Sequence, residues 1–469
     1  MKKILLVFQL IIGIILLNAC RTTEPDGKES NLKPEAKGSM QLRSAGDGRY
    51  DVLGNGYDVT KEYANANSSG FQVVDIERFK LDQPTRIYEE NSNSQEYIED
   101  YGENAVEYSK KITKKFDASL DIPLFSKVLG SSFSSNSTSF NKYDAKYIYG
   151  SYNLLIKFKR FRLNTTVDVL RNYLTPSFLS DLEIKSPEQI VNDYGTHVAI
   201  DIYTGAKMDM VFQSETTNEN REYAARIGVK TGIKGVFGVE GSSEVNTTDS
   251  NKNFNKKLAY RTRGGDPSRG LVGEINLDQS TPKINLSNWQ NSCNPQNAVL
   301  VDFGYNGLVP IYELINDPAK REQIKIYVTK YIKDNQATSQ YIPVPIYTYR
   351  NRQYTDSYFS PLQEGDFWVK QGIAFKAFNY KVPGTVGIYI YCNDLQMNHY
   401  FTTSSINEDP NYWRSKGGPI FYVYPTEVPN SIPVYSYVGV DGYQHYLSTT
   451  TEGNYWKKVK EGPAFYVPN

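Results

Sequence analysis

The feature that most constrains the fold of this 469-residue chain is a threefold internal repeat near its end. Four landmarks recur in one order: a Tyr-x-Tyr pair, an aromatic triplet, a tryptophan and a Gly-x-x-Phe group. They are Tyr347 and Tyr349, Tyr389 and Tyr391, and Tyr435 and Tyr437; Ser357-Tyr358-Phe359, His399-Tyr400-Phe401 and His445-Tyr446-Leu447; Trp368, Trp413 and Trp456; and Gly372 to Phe375, Gly418 to Phe421 and Gly462 to Phe465. A unit of about 44 residues cannot bury its aromatic face alone, so packing around a pseudo-threefold axis is expected. The repeat predicts an all-β domain over 341–469, with units at about 341–382, 383–428 and 429–469.

The aromatic residues of the repeat have two interpretations. Aromatic faces stack on sugar rings, so the triplets supply candidate target-binding residues, namely Tyr358, His399, Tyr400, His445 and Tyr446. The alternative, favoured for the tryptophan and phenylalanine set, is that each unit needs the same core, since a core aromatic buries about 150–250 Å². The histidines lack the Cys or carboxylate spacing of a metal site, so no metal is predicted.

The N-terminus predicts export and lipid anchoring. Basic Met1-Lys2-Lys3 precedes an apolar run, Ile4 to Leu17, that is shorter than the ~20 residues of a transmembrane helix. Leu17-Asn18-Ala19-Cys20 resembles the bacterial lipobox, which implies cleavage before Cys20 and acylation of that residue. We therefore expect a signal peptide at 1–19, a tether at 20–45, and anchoring to the bacterial outer membrane, at the cell surface or in released vesicles. The alternative is an ordinary signal peptide followed by a chance cysteine.

Composition excludes several functional classes. Lys plus Arg and Asp plus Glu both number 52, so nucleic acid is not an expected partner. A mean hydropathy of −0.53 argues against a multispanning membrane protein. The chain has no Gly-x-Ser-x-Gly, His-Glu-x-x-His or phosphate-loop motif, so we predict no enzyme, no catalytic residue and no cofactor. Cys293 and Cys392 are interpreted as buried thiols, with a disulfide as the alternative.

A motif in the middle of the chain points to a known family. Ser186 and Pro187 predict a helix start, and the helix leads into Tyr194-Gly195-Thr196-His197, six intervening positions after Val198, and then Gly205. This pattern resembles the signature of the membrane attack complex/perforin (MACPF) family, from which it departs at Val198 and Ala206. His197 is expected to be a structural residue at the helix–strand junction, and the two glycines mark close backbone approach or a bend.

The resemblance extends through a Gly264-Gly265 turn, Trp289 and the amphipathic helix Ala319–Ile332. It implies an α+β domain over 46–335, in which a bent, twisted antiparallel sheet is flanked by helical clusters. In the family these clusters unfurl into amphipathic hairpins that join an oligomeric β-barrel.

One segment has the pattern that such a hairpin needs. Apolar residues alternate with small or charged ones, and the candidate membrane-inserting residues are Ile227, Val229, Ile233, Phe237 and Val239. Five glycines between Gly228 and Gly241 cost about 1 kcal/mol each in a helix, so we expect a strand here. The alternative is an ordinary half-buried surface strand. A second candidate, Phe116–Leu124, is interrupted by Pro123, which cannot donate in a barrel strand.

Two functions remain open. The first is a pore-forming lipoprotein, an antibacterial or cytolytic toxin, that binds membrane lipid and an unknown surface receptor or glycan. It would self-associate into a ring or arc and insert its hairpins. The second is a non-lytic surface lipoprotein that acts as an adhesin or glycan-binding module.

Overall fold

The structure is a computed structural model. It describes residues 50–116, 121–125, 129, 132–133, 137–139, 141–238, 247–279, 282–353, 356–393, 398–406, 413–414, 417–442 and 444–469. The predicted signal peptide, Cys20, the tether and Val239 lie outside the described residues, so these predictions stay untested.

The described helices are α1 Ile76–Asp82, α2 Ala105–Phe116, α3 Val167–Leu170, α4 Pro176–Ile184, α5 Pro187–Tyr194, α6 Arg221–Phe237, α7 Thr247–Ser250, α8 Ser287–Gln290 and α9 Pro318–Asn335. Short 3₁₀ turns lie at Ala66–Ser68, Arg171–Tyr173, Pro267–Arg269, Pro295–Asn297 and Ile311–Leu314. Within the part of the chain that the structure describes, no helix combines the length and apolar character needed to span a membrane.

The strands before the repeats are β1 Asn55–Tyr57, β2 Ser69–Gln72, β3 Ile87–Gly102, β4 Ser137–Ser139, β5 Lys142–Asp144, β6 Ile148–Leu163, β7 His197–Ala199, β8 Asp201–Thr216, β9 Asn253–Arg263, β10 Val272–Asn276, β11 Val299–Phe303, β12 Leu308–Pro310 and β13 Thr338–Gln340. Those of the repeats are β14 Val344–Asn351, β15 Ser357–Ser360, β16 Trp368–Ala377, β17 Val386–Asn393, β18 Asn398–Thr402, β19 Trp413–Arg414, β20 Phe421–Val423, β21 Ser431–Gly439, β22 His445–Ser448, β23 Trp456–Lys458 and β24 Phe465–Pro468.

The central element is an antiparallel sheet in the order β10-β9-β8-β6-β3, with β11 also paired to β8. Its register shifts between Lys157 and Lys159, opposite Gly205, and such a bulge bends and twists a strand pair. A Cβ added to Gly205 would lie 1.8 Å from the carbonyl oxygen of Ile156. At this point the other neighbour of β8 changes from β9 to β11.

Helices cover both faces of this sheet. Successive strand residues point to opposite faces, so neighbouring residues of β8 enter different cores. Val211 packs in a cluster with Tyr108 and Ile112 of α2. Phe212 packs in a second cluster with Val229 and Ile233 of α6. The predicted α+β fold, an antiparallel sheet flanked by helices, is confirmed.

The C-terminal region is all-β, as predicted, and each repeat unit contributes its own small sheet. The short strands β15, β18 and β22 contact one another. One shared core contains the corresponding residues of the three units: Ile346, Ile388 and Val434; Phe359, Phe401 and Leu447; and Phe375, Phe421 and Phe465. The Gly-x-x-Phe landmarks therefore recur because each unit supplies one side chain to a common centre. Cys293 and Cys392 are free thiols, with Cys392 buried and Cys293 partly buried.

Candidate functional site

The motif residues lie where α5 meets the small sheet β12-β7-β1-β2. The start of α5 is a capping box: Ser186 Oγ accepts from the Gln189 amide and Gln189 Oε1 accepts from the Ser186 amide. At its end Tyr194 OH donates to Asp181 Oδ2 over 2.8 Å. Burial, together with this carboxylate, raises the pKa of Tyr194. Gly195 then turns the chain with a φ of +86°.

Thr196 joins three segments of the chain. Its hydroxyl donates to the Tyr57 carbonyl and accepts from the Val59 amide, each over 3.2 Å. Its own carbonyl accepts from the Ile311 amide over 3.0 Å. The neighbouring His197 is buried, with Nδ1 3.0 Å from the Thr196 hydroxyl oxygen. Thr196 and His197 are therefore structural residues, and their contacts hold the start of β7 in place.

The candidate membrane-inserting segment is a helix, so the expectation of a strand in this fold was wrong. Residues Arg221–Phe237 form α6, and Ile227, Val229, Ile233 and Phe237 are buried in it. A Cβ added to Gly228 would lie 2.2 Å from the Phe212 ring, so a larger residue could not pack this close to the sheet. Tertiary contact has overridden the low helix propensity of glycine.

Both ends of α6 are held by other segments. At the C-terminal end Lys283 Nζ donates to the Gly235 carbonyl over 2.7 Å, and the Ile284 amide donates to the Val236 carbonyl over 2.9 Å. At the N-terminal end Arg221 is buried and donates to three backbone carbonyls. Burial lowers the pKa of Arg221.

The second candidate, Phe116–Leu124, is not a strand in its described residues. Phe116 ends α2, residues 117–120 lie outside the description, and Leu124 is buried in the core that α2 shares.

A charged cavity of about 370 Å³, which no motif in the sequence indicated, lies on the sheet face covered by α2. Asp209 Oδ1 lies 2.8 Å from Lys207 Nζ, and Asp209 Oδ2 lies 3.0 Å from Arg263 Nη2. Against the opposing effect of burial, these two cations hold the pKa of Asp209 well below its usual range. Burial lowers the pKa of Lys207. The Asp209–Arg263 pair links β8 to β9, whereas Lys207 and Asp209 both lie on β8, two residues apart.

The predicted target-binding residues of the repeats contact one another across the boundaries between repeat units. The Tyr358 ring lies 5.0 Å from His399, and the Tyr400 ring lies 5.1 Å from His445. Tyr446 packs 5.6 Å from Phe359 of the first unit. Tyr358 is only 4% exposed. Most of this aromatic surface is therefore used in packing between units.

One of the two histidines of the triplets contacts a buried carboxylate, and the other is itself partly buried. His399 Nδ1 lies 2.6 Å from Oδ2 of buried Asp356. Burial lowers the pKa of His445.

More exposed aromatic residues stand directly before the repeat tryptophans. Phe367 is 49% exposed and Tyr455 is 41% exposed. Each ring packs edge-on against the tryptophan that follows it, at 5.4 Å and 5.1 Å. The signal was present in the sequence as an aromatic-Trp dipeptide in each unit, the third being Tyr412-Trp413. Tyr412 lies outside the described residues.

Among the described residues, no group of three or more His, Cys, Asp or Glu side chains is placed to hold a metal ion.

Comparisons with known proteins agree with this geometry. The profile of the MAC/Perforin domain matches residues 45–340. The fold is similar to a crystal structure of a MAC/Perforin-domain protein from Bacteroides thetaiotaomicron, with a TM-score of 0.51 and 17% identity over 68% of this chain and 70% of that one. It is also similar to GNIP1Aa from Chromobacterium piscinae, with a TM-score of 0.50 and 15% identity over 89% of this chain and 81% of that one. A comparison with curated protein sequences finds no match.

Proposed function

Because the chain belongs to the MAC/Perforin family, we propose that it is a pore-forming protein whose α6 segment unfolds into a membrane-spanning β-hairpin. The observation that carries the proposal is the register of the two strands that α6 connects. These strands are β8, which ends at Thr216, and β9, which begins at Asn253. Extending both strands into the segment between them gives a defined hairpin.

The register determines where that hairpin turns. Lys207 pairs with Arg263 and Gln213 with Lys257, so each residue forward on β8 corresponds to one residue backward on β9. Beyond Gln213 a bulge displaces the last pairs by one residue, so that Thr216 pairs with Asn253. We infer that this bulge straightens as the hairpin forms, so that the main register continues through residues 217–252 and places the turn at 234–236. The strands on either side, 223–233 and 237–247, match the ~9–11 residues of a membrane β-strand.

This register separates the two faces of the hairpin. One face carries no charge and consists of Tyr223, Ala225, Ile227, Val229, Thr231 and Ile233, and of Phe237, Val239, Gly241, Ser243, Val245 and Thr247. Charged residues occupy the other face, where Arg226 would stand opposite Glu244 and Lys230 opposite Glu240. All five candidate membrane-inserting residues fall on the uncharged face, which would meet lipid.

Insertion requires more than one copy of the chain. In lipid every backbone group must be paired, and a lone hairpin leaves two unpaired edges. We therefore infer self-association into a ring or arc, with insertion coupled to assembly.

We also infer how the protein reaches a target. Cys20 would anchor it to the bacterial outer membrane, at the surface or in released vesicles, from which it acts as an antibacterial or cytolytic toxin. The repeats would contact membrane lipid and a surface receptor or glycan. Phe367-Trp368 and Tyr455-Trp456 are better placed for that contact than Tyr358, because they expose aromatic area that sugar rings can stack on.

A charge exchange tests the hairpin directly. Arg226 is exposed on α6, so its substitution disturbs the resting fold little. Arg226→Glu and Glu244→Arg each place like charges opposite one another, which reverses a cross-strand contribution of about 0.2–1 kcal/mol per hairpin. We expect both variants to release less dye than wild type from vesicles of target lipids, and the double variant to recover. Recovery should be accompanied by ring-shaped oligomers in electron microscopy. A double variant no better than either single one would show that this register is wrong.

The exposed aromatic pairs also support the non-lytic alternative, since a glycan-binding module needs them and does not need α6 to move. Wild-type protein that binds target membranes and releases no dye would favour that function.

A further inference from the structure

The first turn of α6 is anchored by a buried guanidinium group. Arg221, the first residue of the helix, is 8% exposed. Its Nε donates to the Glu103 carbonyl over 3.0 Å, and its Nη2 donates to the carbonyls of Ala145 and Lys146 over 2.7 and 2.9 Å. Its Nη1 is buried and has no hydrogen-bond partner among the described residues. The guanidinium carbon lies 5.2 Å from the centre of the Tyr380 ring.

This position is unfavourable for a positive charge. The N-terminus of a helix carries a partial positive charge, which repels a cation in the first turn. Within the described residues Arg221 forms no salt bridge, although the more distant carboxylates of Glu103 and Glu215 favour its charge. A buried charge is stable only where surrounding polar groups replace water. Here three carbonyls from other segments and one aromatic face make the direct contacts that replace water around Arg221.

The aromatic face belongs to the repeat region. Tyr380 is buried in a small cluster with Ala145, Phe378 and Val382, against which Tyr422 and Tyr424 pack. Its hydroxyl accepts from the Ile342 amide over 3.3 Å. Of these residues only Ala145 precedes the repeats, and it supplies one of the carbonyls that hold Arg221. A displacement of the repeats would therefore remove the aromatic face from Arg221 and admit water to the charge.

We propose that the Arg221–Tyr380 contact holds the first turn of α6 in its helical form, and that displacing the repeats from α6 releases this turn. The consequence of this release for pore formation rests on the proposed function, whereas the effect of the contact on α6 does not depend on that function. Solvation of the charge then favours the released state, because Arg221 regains the water and the hydrogen bonds that burial denies it. Target binding by the repeats would thus be linked to the unfolding of α6.

Hydrogen exchange in the full-length protein tests the contact without any membrane. Tyr380→Leu keeps apolar volume and removes the aromatic face; Tyr380→Phe keeps the face. Tyr424→Leu is the matched control, because Tyr424 packs 5.9 Å from Phe378 in the same cluster. We expect Tyr380→Leu to speed exchange of the amides at 222–226 by about tenfold or more. Tyr380→Phe and Tyr424→Leu should leave these rates near wild type, and exchange at β8 should not change.

Each outcome decides the matter. Equal acceleration by Tyr380→Leu and Tyr424→Leu, or acceleration throughout β8, would mean general loosening of the cluster and would overturn the proposal. So would unchanged exchange at 222–226 in Tyr380→Leu. Dye release is measured separately. If Tyr380→Leu speeds exchange as expected but neither wild type nor the variant releases dye, the role of the contact is supported and pore formation is refuted instead.

Discussion

Replacing Ser243 with lysine tests where the hairpin lies in the membrane, and the adjacent Ser242 supplies a control with the same starting residue. In the proposed hairpin the extended β8–β9 register would place Ser243 opposite Ile227 on the uncharged face, and Ser242 opposite Gly228 on the charged face. Both lie near the middle of the strands 223–233 and 237–247, and so near the bilayer midplane.

The magnitude follows from that depth. A lysine that faces lipid near the midplane costs about 2–4 kcal/mol per hairpin, whereas one that faces the lumen costs little. For a single hairpin this corresponds to roughly a thirty- to several-hundredfold loss in insertion. We therefore expect Ser243→Lys to abolish dye release from vesicles and Ser242→Lys to retain most of it.

Two measurements accompany the assay. Thermal melting must show that each variant is as stable as wild type, and vesicle co-sedimentation must show that each still binds. Equal loss of dye release in the two variants, with unchanged melting and binding, would refute the assignment of faces. This pair is preferable to lysine at Val229 or Ile233, because both of these side chains are buried in α6 and their substitution would destabilise the resting fold.

Two further predictions concern attachment and recognition. Cys20→Ala should abolish partition of the protein into the membrane fraction and its labelling with a fatty acid; equal labelling of variant and wild type would contradict the lipid anchor. Phe367→Ser combined with Tyr455→Ser should weaken binding to target cells several-fold with little change in melting, since exposed positions usually contribute within about 0.5 kcal/mol to stability. Tyr358→Ser, by contrast, should mainly lower the melting temperature, because Tyr358 is buried between repeat units.

Order and spacing along the chain were sufficient to predict several features. The landmarks of the repeats, from Tyr347 to Phe465, predicted an all-β region because identical units must bury identical positions. The motif from Tyr194 to His197, followed by Gly205, indicated the family. A glycine is required at position 205 because the backbone there approaches Ile156 too closely to admit a side chain. The alternation from Ile227 to Phe237 also marked the two faces of the proposed hairpin.

The resting conformation of that same segment and the role of each aromatic side chain depend on contacts between distant parts of the chain. Local propensity disfavours a helix that contains Gly228 and Gly232, but the missing side chains let α6 approach Phe212 closely and bury Val229 and Ile233. Arg221 gave no signal in the sequence, because its partners at Glu103, Ala145 and Tyr380 come from distant segments. Likewise, repetition fixed which residues are aromatic, but the packing of one unit on the next determined that Tyr358 is buried and Phe367 exposed.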